Sequence, residues 1–110
     1  MNLLLNKIIN YKLAISIAKP YIMDNTIQAT QTHCQYCFDV LINKLNNKPL
    51  PEYPKTLVDC EVPLFVTWKK NGTLRGCIGT FSPARLSKLL PEYAITSSMR
   101  DPRFPPVKQD

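Results

Sequence analysis

A helix-periodic stretch and an antiparallel hairpin, lying apart along one chain, predict an α+β fold. The helical signal runs from Thr30 to Asn47, and the hairpin signal consists of two β-rich stretches, Leu64–Lys69 and Thr73–Thr80, on either side of Asn71-Gly72. Hydrophobic residues make up 45% of the 110, and Trp68, five tyrosines and four phenylalanines supply the aromatic bulk that a disordered tail lacks. Ten prolines and a two-stranded ribbon are little from which to build a core alone, so the hairpin is expected to lie within a larger covered sheet.

Residues 1–22 are apolar, lysine-bearing and free of acids, in the manner of a targeting presequence, although arginine is absent and serine occurs once. The uncharged runs are far shorter than the ~20 apolar residues that cross a bilayer, so no transmembrane segment is expected. Lysines interrupt the apolar run and no clear small-x-small cleavage site follows, which argues against secretion. An intracellular protein, cytoplasmic or nuclear, is the expectation, with mitochondrial targeting by residues 1–22 kept open.

In the helical stretch, Cys34, Cys37, Phe38, Leu41 and Leu45 recur at core-facing intervals, while Gln35, Asp39, Asn43 and Asn46 lie mostly opposite. Thr32-His33-Cys34-Gln35 fits a capping box at its start, and Lys44 and Lys48 suit the negative end of the helix dipole. The following Pro49-Leu-Pro-Glu-Tyr-Pro54 must run extended, as a linker or an arm over the core. Asp101-Pro-Arg-Phe-Pro-Pro106 stops the last helix in the same way, with Phe104 placed to anchor it in an apolar groove.

Asn71-Gly72 is the pair that best tolerates the positive φ angles of a two-residue type I′ turn. Such a turn sets Lys70 opposite Thr73, Trp68 opposite Arg75, Val66 opposite Cys77 and Leu64 opposite Gly79 on one face. Phe65, Thr67, Lys69, Leu74, Gly76 and Ile78 then occupy the other. In this register Arg75 can stack on Trp68 and still offer its guanidinium fork to a carboxylate or phosphate. Gly76 and Gly79 inside a strand suggest a bulge or the close approach of another backbone or a ligand, and Cys77 lies between them. A buried strand cysteine flanked by packing glycines is the plainer reading.

Tyr36–Leu41, Pro63–Trp68, Leu74–Phe81 and Asp101–Pro106, in this order, closely resemble the corresponding blocks of the AMMECR domain family. The resemblance implies an antiparallel sheet with flanking helices, no cofactor and no established biochemical activity. It starts near Thr32 and covers about half of the usual domain, so residues 23–110 read as the N-terminal part of an AMMECR-like domain whose C-terminal half is missing, and residues 1–22 as an extension of uncertain status. Since all family blocks lie after it, translation starting at Met23 is the preferred account of that extension. Pro91 falls where the family's helix continues, so two short helical pieces, Ala84–Leu90 and Pro91–Met99, are expected.

The residues singled out for binding are Trp68, Leu74, Arg75, Gly76, Cys77, Ile78, Gly79 and Thr80, which suit an intracellular regulatory or protein-interaction domain capturing an acidic or C-terminal peptide. The alternative is an enzyme of unknown reaction with Cys77 as a reactive thiol, in which His33, the only histidine, has no assigned catalytic role. His33-Cys34-x-x-Cys37 has no second Cys-x-x-Cys partner, so no metal site is assigned even with Cys60 and Cys77 available. Four reduced thiols are expected in a reducing compartment. Nucleic-acid binding is disfavoured, because half of the net charge of +6 comes from Lys7, Lys12 and Lys19 before the first acid, and no recognised motif accompanies the rest.

Overall fold

The computed structural model describes Tyr11–Ile17 and residues 29–107. Three antiparallel strands, β1 (Tyr11–Ile17), β2 (Glu61–Lys70) and β3 (Thr73–Arg85), form a sheet in the order β1-β2-β3, joined by two helices, α1 (Gln31–Leu45) and α2 (Leu86–Met99). The α+β class is therefore as expected, and a third strand comes from within residues 1–22. Its backbone pairs with β2 from Tyr11 opposite Lys70 to Ile17 opposite Leu64. The rest of that segment, and the expected start at Met23 that follows it, lie outside the described residues.

The N-cap of helix α1 lies two residues before the expected one. Thr30 is the N-cap; its backbone N–H donates to His33 Nδ1 at 3.0 Å, and its hydroxyl lies 2.9 Å from the same nitrogen. Thr32 is exposed within the first turn. The buried stripe is His33, Tyr36, Cys37, Val40 and Leu41, a rotation from the expected one that leaves Cys34, Phe38 and Leu45 half-buried. The helix stops at Asn46 and Asn47, the latter at φ 55°, a left-handed conformation that asparagine tolerates well. Beyond it the proline arm is tied back to the helix: Asn43 Nδ2 donates to the Pro49 carbonyl at 2.9 Å and Tyr36 Oη to that of Pro51 at 3.0 Å.

Helix α2 runs unbroken through Pro91, which corrects the expectation of two pieces. Proline removes one backbone donor, but Leu86, Leu89, Leu90 and Ala94 on either side of it are all buried, and this shared apolar face holds the helix together. Its start is served from a distance: Asp59 accepts from the Ser87 N–H at 2.9 Å and from Arg85 Nε at 3.4 Å. These contacts hold the Asp59 carboxyl below its ordinary range, the Ser87 N–H contributing most.

Both helices meet the sheet on one face, where β2 contributes Val62, Leu64, Val66 and Trp68, all fully buried. Trp68 is the centre of this core. Its ring meets Phe38 edge-on at 5.1 Å, and its indole N–H donates to Ser97 Oγ of α2 at 2.9 Å. Pro63 has no N–H for the ladder, and the register shifts between Val62 and Leu64 around it.

Candidate functional site

The hairpin turn forms as its sequence dictates, with Asn71 at φ 51°, Gly72 at φ 81° and Lys70 opposite Thr73. Lys69 then pairs with Leu74, but Trp68 pairs with Gly76, so Arg75 is an extra residue in β3. This bulge corrects the expected register. Beyond it Thr67 faces Cys77, Val66 faces Ile78 and Phe65 faces Gly79, which moves Cys77 and Gly79 to the side away from the helices. Arg75 does not stack on Trp68, whose ring is enclosed by the core.

The two strand glycines have separate explanations. A Cβ on Gly76 would collide with the Ser97 backbone carbonyl, so the glycine lets α2 lie directly on β3. A Cβ on Gly79 would meet the Phe65 ring and the Leu64 carbonyl. Phe65 thus lies over Gly79, and its ring meets that of Phe81 at 4.9 Å.

Around Cys77, the strand's outer edge is held by side chains. The Cys77 N–H donates to Asp101 Oδ2 at 3.0 Å, while Arg103 Nη2 donates to the Cys77 carbonyl at 3.2 Å. Asp101 and Arg103 in turn pair through Nη2 to Oδ2 at 2.8 Å and Nε to Oδ1 at 3.0 Å. The Arg103 guanidinium, followed by burial acting in the opposite sense and then the Cys77 N–H, leaves the Asp101 carboxyl well below its usual range. The Asp101 side chain is buried and that of Arg103 is 56% exposed. Together they satisfy Cys77 as a neighbouring strand would.

Arg75 reaches the same loop, its Nη2 donating to the Pro106 carbonyl at 3.1 Å. Val107, rather than Phe104, is the buried anchor of this segment: it is 1% exposed, and its N–H donates to the Ser98 carbonyl at 2.9 Å. Phe104 is half-buried beneath the Arg103 guanidinium, 5.3 Å from ring centroid to Cζ.

The eight predicted residues are consequently divided by the strand's alternation. Trp68 and Gly76 are inside the core, Ile78 and Thr80 are half-buried on the helix-facing side, and Arg75 occupies the bulge. Cys77, Gly79 and the exposed Leu74 face outward. Cys77 Sγ lies 3.2 Å from Thr67 Oγ1, with no described carboxylate or imidazole bonded to it. His33 is engaged by Thr30 at the start of α1, and burial pushes its imidazole toward the neutral form. Cys37 is held protonated by burial, reinforced by Cys34.

Among the described residues no group of three or more histidine, cysteine, aspartate or glutamate side chains is placed to hold a metal ion. A shallow hollow is lined by Gln31, Thr32, Cys34, Gln35 and Phe38, none of them in the β3 segment. Sequence reasoning missed Asp101, Arg103, Phe81 and Ser97. The Asp-Pro-Arg-Phe block was visible as a helix terminator, but the spacing of its charges against Cys77 exists only in the folded chain.

The AMMECR1 family model matches residues 34–110. An uncharacterised protein of Arabidopsis thaliana is 45% identical over 87 residues, 74% of this chain and 40% of that protein. An uncharacterised protein of Kluyveromyces lactis is 48% identical over 52 residues, 44% of this chain and 23% of that one. A protein of Methanosarcina barkeri is 50% identical over 48 residues, 43% of this chain and 24% of its own. The chain thus spans less than half the length of these relatives. No solved structure matches it.

Proposed function

The chain belongs to the AMMECR1 family, and from that premise we propose that it is an intracellular protein-interaction domain whose partner engages the outer face of the β2–β3 hairpin. The observation that carries this reading is Phe81, 81% exposed and stacked edge-on against Phe65, on a sheet face turned away from both described helices. Leu74 extends the apolar strip toward the turn, and exposed Lys69 stands beside it. An aromatic pair held by the strands, with a charge at its rim, suits recognition of a protein segment.

The test replaces Phe81 in the complete protein with a photo-crosslinking phenylalanine, and Lys88, exposed on α2, as the control. Crosslinking to a defined protein from position 81 and not from 88 is expected. With that protein purified, Phe81→Ser weakens binding about tenfold, equivalent to about 1.4 kcal/mol, and Cys77→Ser leaves it unchanged. No crosslink from position 81, or equal crosslinking from both positions, would reject the reading. Loss of a small-molecule turnover in Cys77→Ser would replace it with the thiol-enzyme reading.

A further inference from the structure

Among the described residues two asparagines adopt the left-handed conformation, Asn47 at φ 55° and Asn71 at φ 51°. Their surroundings differ in the one atom that follows each of them, the next backbone nitrogen. After Asn47 comes Lys48, whose N–H donates to the Asn43 carbonyl at 2.8 Å. After Asn71 comes Gly72, whose N–H bonds to no described residue. The turn itself is the cause: a two-residue turn is closed by the pair that flanks it, here Lys70 and Thr73, and the amide at its second position belongs to neither strand. The side chains differ in the same sense. Asn43 Nδ2 donates to the Pro49 carbonyl at 2.9 Å and Asn46 Nδ2 to that of Ile42 at 2.8 Å, whereas the Asn71 carboxamide bonds to no described residue.

We propose that Asn71 is a site of spontaneous deamidation, converting to isoaspartate and aspartate in the folded protein. The Gly72 nitrogen, having lost its proton, attacks Asn71 Cγ. The new N–Cγ bond closes a succinimide ring as the Cγ–Nδ2 bond breaks, and Nδ2 leaves as ammonia with the proton that Gly72 gave up. Water then opens the ring, at Cγ to give aspartate or at the main-chain carbonyl carbon to give isoaspartate, whose backbone runs through the former side chain. Gly72 suits the ring closure because it carries no side chain to crowd its nitrogen. Lys69 and Lys70, immediately before Asn71, add positive charge that favours the anionic nitrogen. All reacting atoms belong to the turn. The product lowers the net charge of +6 by one, and isoaspartate lengthens by one carbon the turn that pairs Lys70 with Thr73.

The test incubates the complete protein, folded, at neutral and at mildly alkaline pH. Peptide mapping follows deamidation at each asparagine, and methyl transfer from S-adenosylmethionine by purified isoaspartyl methyltransferase reads the isoaspartate. Conversion at Asn71 should run at least about tenfold faster than at Asn47, and faster still at the higher pH, where the attacking nitrogen loses its proton more readily. Lys48→Gly removes the side-chain difference between the two sites and keeps the backbone bond to the Asn43 carbonyl. In that variant Asn47 should remain at least about threefold slower than Asn71, the effect of one retained hydrogen bond. Equal rates at the two asparagines in Lys48→Gly would overturn the inference. So would conversion of Asn71 only after unfolding in urea, or none at Asn71 in the folded protein.

Discussion

The β2–β3 hairpin presents two faces built from the same two strands and governed by different constraints. Toward the helices, Val62, Leu64, Val66 and Trp68 are fully buried, and Gly76 lies against a backbone carbonyl of α2. On the outer side, Phe65 and Phe81 stack on each other, Cys77 lies near Thr67, and Phe81 is left 81% exposed. Packing alone accounts for the identity of nearly every inner residue. It does not account for an exposed aromatic on the outer side, so a short signature spanning both faces mixes fold-determining residues with candidates for recognition.

The sharpest way to break this comparison is to remove the centre of the inner face. Trp68→Ala should destabilise the protein by about 4 kcal/mol, since it empties a fully buried site. Urea unfolding checks this, and a loss no larger than that of a surface substitution would mean that the inner face is not the core. Gly76→Ala comes next. Its new methyl must displace the Ser97 carbonyl, a backbone atom that cannot rotate aside, at an expected cost of about 3 kcal/mol. Unchanged stability in that variant would show that α2 does not rest on β3 as described.

The two faces also explain what was legible in the sequence. Asn71-Gly72 announces its turn because the positive φ angles are a local demand of two adjacent residues. Helix α1 is announced by periodicity, although burial selected His33, Tyr36 and Val40 over Cys34, Phe38 and Leu45, a choice made by the sheet and α2. The bulge at Arg75 was hidden for a similar reason. It seats Gly76 beneath Ser97, and nothing near Arg75 in the sequence says where that carbonyl will lie. One extra residue then turned Cys77 from Val66 to Thr67 and removed the expected Arg75–Trp68 stack. Pro91 misled in the opposite direction, a strong local rule overridden by burial along α2.

Between the faces lies the edge, which can be probed through pH. Asp101 has its carboxyl lowered in the folded protein relative to about 3.9 in an unfolded chain. Its ionised form therefore stabilises the fold above that unfolded value, and the contribution is lost as pH falls below about 4 toward the folded value. Asp101→Asn should lower the melting temperature at neutral pH, by less than Gly76→Ala does, and flatten the decline below pH 4. Some slope should persist, because Asp59 is lowered as well by the Ser87 N–H at the start of α2. An acid limb identical in wild type and variant would show that the pair with Arg103 does not hold Cys77 in solution.

The smallest effect is expected where the surface is most exposed. Phe81→Ser removes a ring that touches Phe65 but fills no enclosed space, so stability should change by no more than about 0.5 kcal/mol in urea unfolding. Binding of a partner crosslinked at that position should nevertheless fall about tenfold. The pair of measurements separates the faces more cleanly than either alone, since an inner-face substitution such as Trp68→Ala damages binding only through the fold. Were Phe81→Ser to cost as much stability as Gly76→Ala, the outer face would also be part of the core, covered in the complete protein by another portion of the chain. The aromatic pair would then be a seam inside one molecule, and partner recognition would have to be sought elsewhere.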